Sequence, residues 1–262
     1  MYAFAYERPT ALVDALKHVA AGGQPLAGGQ TLLASMKQRL ASPEKLVDLG
    51  RVAELAGVCQ DGQALVIGAT TRHADVADNA LVRQHIPALA ELASQIGDKQ
   101  VRAMGTMGGS VANNDPAACY PSAVLALKAS IKTNRRSIEA DAFFTGIYQT
   151  ALDPHEMIES VSFAQPISAA YIKFRQPASH YALVGVFVAK FADGVRVAVT
   201  GSAACAFRVP ALEEALSARW TPDAARAVRV EASALNSDLH ASAEYRAHLI
   251  PVLAARAVAA AR

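Results

Sequence analysis

Apolar positions recur at helical spacing from Leu12, through Ala15 and Leu16, to Val19, and Gly22-Gly23 closes that run. Thr10 stands where a capping side chain is expected. A short strand is predicted around Gln24–Ala27, broken by Gly28-Gly29. A second helix is predicted to start near Gln30 or Thr31, with Leu32, Leu33, Met36 and Leu40 on one face. Pro43 ends it, and Lys45–Leu49 reads as a further strand. Strand, glycine turn and helix thus follow one another directly. Ala64–Ala69 (ALVIGA) has the make-up of a buried strand. Thr71 is placed to cap one helix and Pro87 to open the next, which carries Leu89, Leu92 and Ile96.

From Gly97 to Pro121 the periodicity is lost. The stretch is rich in Gly, Asn and Asp, and an irregular segment of that length points to a functional role. A helix and several short strands follow to about Gln165. Asp193-Gly194, between the apolar runs Tyr181–Phe191 and Val195–Ser202, is a two-residue hairpin signal. Three helical stretches complete the chain, the last over 241–262. The pattern divides the chain into an α/β region, 1–167, with lobes of about 1–57 and 58–167, and a region 168–262 of antiparallel sheet and helical bundle. The fold class is α+β.

With 262 residues, 52% of them hydrophobic, the chain can bury a sizeable core. A net charge of +2, without a run of like charges, gives no footprint for nucleic acid. Glu7 and Arg8 interrupt any apolar leader, and Arg256 interrupts the Ala-rich tail, so neither a signal peptide nor a membrane span is expected. Cys59, Cys119 and Cys205 are far apart and form no C-x-x-C pair, which argues against an iron–sulfur or zinc site within this chain and for a reducing, cytoplasmic setting. The histidines, among them His73, His85, His155, His180, His240 and His248, are scattered, and no metal or Ser–His–Asp constellation can be argued from their order.

Two segments carry chemistry. AGGQTLL (27–33) places paired glycines ahead of a helix, where backbone can approach a ligand and N–H groups can meet a phosphate; a tight turn needing positive φ explains the same residues. GTMGGSVANNDPA (105–117) repeats the device with Thr106, Ser110 and Asn113 as donors, or is a decorated surface loop. Together they could grip a pyrophosphate from two sides. A helix terminus contributes roughly 0.3–1 kcal/mol, whereas micromolar binding needs about 8, so several charge-assisted hydrogen bonds and buried aromatic surface must join in. Neither a G-x-G-x-x-G nor a P-loop motif is present.

AGGQTLL and IGDKQVRAMGTMGGSVANNDPAA resemble the two FAD-binding signatures of the medium subunit of molybdenum hydroxylases, the carbon monoxide dehydrogenase and xanthine dehydrogenase family. The likeness continues through DAFFTG (141–146), YIKFRQ (171–176), YALVGV (181–186) and the tail HASAEYRAHL (240–249). It implies a two-lobed FAD-binding region of the vanillyl-alcohol-oxidase (PCMH) type and a C-terminal domain of the CO dehydrogenase flavoprotein type. It also implies that Ala27, Gly28, Gly29, Gln30, Thr31, Leu32, Thr106, Met107, Gly108, Gly109 and Ser110 hold the pyrophosphate region, with Asn113 and Asp115 near the same cofactor. Ile158 would lie against the adenine or the flavin, with Lys173 and Tyr181 near the flavin ring. Each of these last residues has an ordinary reading as well: Ile158 as core, Lys173 as a solvated side chain, Tyr181 as strand packing, and Asp115 as a turn residue before Pro116.

In one place the sequence departs from the family. Cys119 stands in DPAACYP where members carry an acidic residue, which removes an anionic acceptor from the site; a reactive thiol and a buried inert one both fit. No histidine lies in the first glycine signature, so the resemblance implies non-covalent FAD. The expected role is an electron relay. A small [2Fe-2S] subunit would feed this chain, a large molybdenum subunit would hydroxylate the substrate, and NAD or a quinone would take the electrons. The assembly would be a heterotrimer or its dimer, with the molybdenum cofactor and the [2Fe-2S] clusters in the partner subunits alone. The alternatives are a self-contained FAD-dependent oxidase or reductase, and a non-catalytic nucleotide-binding module.

Overall fold

The computed structural model describes all residues, 1–262. Its first part is a three-stranded parallel sheet in which Lys45–Asp48 lies between Ala5–Glu7 and Gln24–Leu26. Parallel pairing needs crossovers, and helices Leu12–Ala20 and Leu32–Lys37 provide them. The core here is small: seven buried residues around Ala15, Val19 and Val47, and three around Met36. Leu40, expected on the buried face of the second helix, is 77% exposed, because the helix stops at Lys37 and Arg39 turns left-handed at φ 62.

The second part is a five-stranded antiparallel sheet in the order Val58–Asp61, Ala64–Gly68, Ile158–Ala164, Ser130–Thr133, Ser137–Glu139. Val161 pairs with Ile67 on one side and Ile131 on the other, which fixes which residues face the core. Helices Pro87–Ser94, Met107–Asn113 and Tyr120–Ala126 contribute to its 35-residue core.

Residues from Ser168 onward form a four-stranded antiparallel meander, Ser168–Arg175, Ala182–Phe191, Gly194–Thr200 and Phe207–Arg208. Ala182–Val188 is buried throughout. Phe187 and Ala189 join the core of the second part, while Val184, Val186 and Val188 pack in a 19-residue core with helices Pro210–Ala218, Pro222–Arg226 and Ala243–Ala260. A strand covered on both faces reads as a continuous apolar run, as ALVGVFVA does.

Three local expectations are corrected. The first helix is capped not by Thr10 but across the chain, where Glu54 Oε1 accepts the Leu12 N–H at 3.1 Å. Thr71 caps nothing: its hydroxyl accepts from Gly57 N at 2.9 Å and donates to Gly57 O at 3.0 Å, and the helix begins at His73 with Arg72 in the N-cap position. The stretch 97–121 is not irregular. It holds helices Lys99–Met104, capped by Asp98, and Met107–Asn113, capped by Thr106 and closed by Asn114 at φ 44. Gly108 lies inside the second of these helices because a Cβ there would meet Ala69 Cβ at 2.6 Å, so tertiary packing overrides helix propensity.

Candidate functional site

The first glycine turn follows a strand of the parallel sheet and abuts the second glycine segment. A Cβ on Gly28 would lie 2.1 Å from Met104 O. Gly29 adopts φ 69, which a side chain would strain. None of the backbone N–H groups of Gly28, Gly29, Gln30, Thr31 and Leu32 donates to a protein acceptor. The second segment differs. Its Met107 and Gly108 N–H groups are taken by Thr71 O and Ala69 O at 2.9 and 2.8 Å, and that of Gly109 by Thr106 Oγ1 at 3.2 Å. One turn therefore offers backbone donors. The other offers a close-packed wall and the side chains of Ser110 and Asn113.

These segments line one side of a cleft of about 740 Å³. Leu152 with residues 155–158, and Lys173 with residues 178–181, form its other walls. Glu156 anchors the first of these. Its carboxylate takes Arg136 Nε and Nη2 at 3.1 and 3.0 Å and the Thr133 hydroxyl at 2.7 Å. The Arg136 hydrogen bonds hold its pKa down at about 2, against the opposing effect of burial. The second wall is shaped by Gln176, whose side chain accepts the N–H groups of Ala178 and Ser179 at 2.6 and 2.7 Å, and by His180 at φ 61.

Lys173 is pinned there, donating to Gln95 O at 2.6 Å and His180 O at 3.0 Å, with Cys119 Sγ at 3.6 Å. Tyr181 stands at the rim. Desolvation, followed by the charge of Asp115, raises its phenol pKa. Asp115 accepts the Ala117 N–H at 2.8 Å and the Tyr148 hydroxyl at 3.4 Å.

All but one of the residues expected at a cofactor line this cleft: Ala27, Gly28, Gly29, Gln30, Thr31, Leu32, Thr106, Gly108, Gly109, Ser110, Asn113, Asp115, Cys119, Ile158, Lys173 and Tyr181. Met107 does not; it is fully buried in the core of the second part, since its helix turns that side away from the cleft. Several lining residues were not expected at a cofactor: Asp98, Glu156 and Ser179, and also His73 and His180, which the sequence shows only as scattered histidines. Asp98 carried a signal, as a capping residue three before Val101, whose N–H it accepts at 2.7 Å. A lone histidine carries none. His73 lies beneath Gly105 and against the Tyr120 ring at 5.2 Å, where desolvation, then the charge of Arg102, lowers its pKa to about 4.

No group of three or more His, Cys, Asp and Glu side chains is placed to share a metal ion, and no helix is long and apolar enough to cross a membrane.

A run of free backbone donors and a pinned Lys173 side chain in one cleft suit an anionic, nucleotide-like ligand. The chain belongs to the family described as the FAD binding domain in molybdopterin dehydrogenase, whose model matches residues 2–166. The carbon monoxide dehydrogenase medium chain of Hydrogenophaga pseudoflava is 33% identical, covering 98% of this chain and 96% of its own length. The nicotine 6-hydroxylase medium subunit of Paenarthrobacter nicotinovorans is 34% identical, with the same coverage. Among solved structures, carbon monoxide dehydrogenase of H. pseudoflava lacking the Mo-pyranopterin moiety superposes at a TM-score of 0.87, with 32% identity over 99% of this chain and 97% of that one. Quinoline 2-oxidoreductase of Pseudomonas putida 86 superposes at 0.89, with 26% identity over 99% and 96%. The expected fold, a PCMH-type FAD-binding region followed by an antiparallel sheet with helices, is the one found.

Proposed function

We propose that this chain is the FAD-carrying medium subunit of a molybdenum hydroxylase complex and serves it as an electron relay. The observation that carries the reading is the row of unpartnered N–H groups from Gly28 to Leu32, opening into the cleft of a chain that belongs to an FAD-binding family. Such donors to a diphosphate, at roughly 1.5–3 kcal/mol each for a charged acceptor, supply a large share of the about 8 kcal/mol that micromolar binding requires, and burial of the rings offsets the cost of association.

In this reading Ala27 to Leu32, with Thr106, Gly108, Gly109 and Ser110, hold the pyrophosphate. Asn113 and Asp115 lie near the same cofactor, and Ile158 borders the adenine or flavin region. Lys173, Tyr181 and Cys119 border the ring. FAD exchanges electrons singly or in pairs, which suits it to join one-electron [2Fe-2S] carriers to an acceptor such as NAD or a quinone. The chain's own residues bind it without a covalent link, orient it and keep water from its buried side.

The [2Fe-2S] and molybdenum centres belong to a small and a large partner subunit, in a cytoplasmic heterotrimer or its dimer. Residues 1–167, with lobes of about 1–57 and 58–167, form the FAD-binding domain, and 168–262 the C-terminal one. The test is reconstitution. Substrate should reduce the flavin when the cluster-bearing and molybdenum subunits are added, and not before. Turnover by the isolated chain at the rate of the complex would replace this reading with a self-contained oxidoreductase. Colourless protein that refuses added FAD would leave a nucleotide-binding module.

A further inference from the structure

Cys119 and Lys173 lie 54 positions apart in the chain, and the fold sets their Sγ and Nζ atoms 3.6 Å apart in the cleft wall. Neither can easily leave. Cys119 stands at the start of helix Tyr120–Ala126, its carbonyl accepting the Ser122 hydroxyl at 2.8 Å. Lys173 is held by two backbone carbonyls, and no carboxylate pairs with it. The Tyr171 hydroxyl is buried and without a hydrogen-bond partner; desolvation, then the nearby Cys119, raises its pKa. The remaining cysteines have no such neighbour: Cys59 is exposed, and Cys205 meets the Phe144 carbonyl at 3.9 Å. All three are free, so an oxidised Cys119 has an amine beside it and no thiol. Both residues line the cleft, where Cys119 is 5% exposed.

We propose that Cys119 and Lys173 are a modification site, joined by hydrogen peroxide into a covalent Sγ–O–Nζ bridge. One peroxide oxidises the thiol to a sulfenic acid and leaves as water. Lys173 reacts as the neutral amine, its ammonium proton passing to solvent. A second peroxide takes two electrons, with one hydrogen from the sulfenic O–H and one from Nζ, as the O–Nζ bond forms, and two waters leave. Sulfur and nitrogen are each oxidised by two electrons, and both peroxides are reduced. The product removes a positive charge from the cleft and ties the helix at Cys119 to strand Ser168–Arg175. A thiol reductant reverses it. The bridge needs no bound cofactor, so its fate is separate from that of the FAD reading.

The experiment is peptide mass spectrometry on the full chain after hydrogen peroxide, with fragmentation to set aside oxygen taken up by exposed Met104. The expected product is a linked pair of peptides containing Cys119 and Lys173, one oxygen heavier and two hydrogens lighter than their sum. Tryptic cleavage after Lys173 is lost and returns with dithiothreitol. Cys119→Ser abolishes the product, as does Lys173→Arg, which keeps donors for the Gln95 and His180 carbonyls. Cys119 recovered unmodified, or as a sulfenic, sulfinic or sulfonic acid with Lys173 still cleaved, overturns the proposal.

Discussion

Gly28 and Gly109 both belong to paired glycines, yet a methyl group meets different surroundings at each. At Gly28 it would lie 2.1 Å from Met104 O and 2.7 Å from Gly105 Cα, atoms that cannot swing aside. At Gly109 it would meet the Thr106 hydroxyl at 2.8 Å and Ala27 Cβ at 3.9 Å, at the edge of the cleft. Gly28→Ala is therefore expected to cost about 2–3 kcal/mol of stability through overpacking, read by denaturant unfolding. Gly109→Val is expected to keep the fold and weaken FAD binding at least about tenfold, some 1.4 kcal/mol, read by fluorescence titration. Equal stability of the two variants would contradict this division. The sequence shows both pairs; it does not show that the first glycine segment rests on the second.

His73 sets a pH dependence at the same scale. Its folded pKa of about 4 lies below the ordinary 6.5, so the unfolded chain binds the extra proton first. Its contribution is intact above pH 6.5 and is lost as pH falls toward 4, about 3 kcal/mol in all. His73→Gln should flatten the stability curve in that window; an unchanged slope would show that other groups produce it.

At the scale of elements, the long helices and the hairpin between Ala182–Phe191 and Gly194–Thr200 were legible because each has its own periodicity or turn chemistry, although the turn residues are Ala192-Asp193, one position earlier than expected, and Gly194 opens the second strand opposite Phe191 at φ 139. The short helices at 99–104 and 107–113 were not, since six or seven residues give no periodicity and the glycines within them serve tertiary packing. Capping by Glu54 lies 42 residues from the helix it serves and leaves no local trace. The tail motif HASAEYRAHL has a physical basis of its own. Ser242 caps the last helix, and Arg246, 3% exposed, donates to Leu183 O at 2.8 Å and Gly201 O at 2.6 Å and pairs with Asp238 at 2.7 Å. This one side chain fastens the helix to the strand ends. Arg246→Ala strands two buried carbonyls and should destabilise the chain by roughly 2–4 kcal/mol, measured by thermal or urea unfolding. A loss below about 1 kcal/mol would mean that water replaces the guanidinium without penalty.

For the whole molecule, the architecture was readable mainly through the extended resemblance, which fixes the order of lobes that periodicity alone leaves open. The cleft was readable as a set of residues, and Met107 was misplaced because a motif does not say which side of a helix faces inward.

The uneven division of the core has a dynamic consequence. The parallel sheet rests on clusters of seven and three buried residues, against 35 and 19 elsewhere. A region with so little apolar contact opens by local unfolding at a lower free energy than the rest of the chain. Amides of strands Gln24–Leu26 and Lys45–Asp48 should therefore exchange with deuterium before those of Ala182–Phe191. Because this weaker unit carries the free N–H groups of the first glycine turn, a ligand seated there stabilises it by mass action. Saturating FAD should slow exchange in residues 24–48 at least about tenfold while leaving the four-stranded sheet unchanged. In that case the cofactor completes the folding of the lobe that binds it.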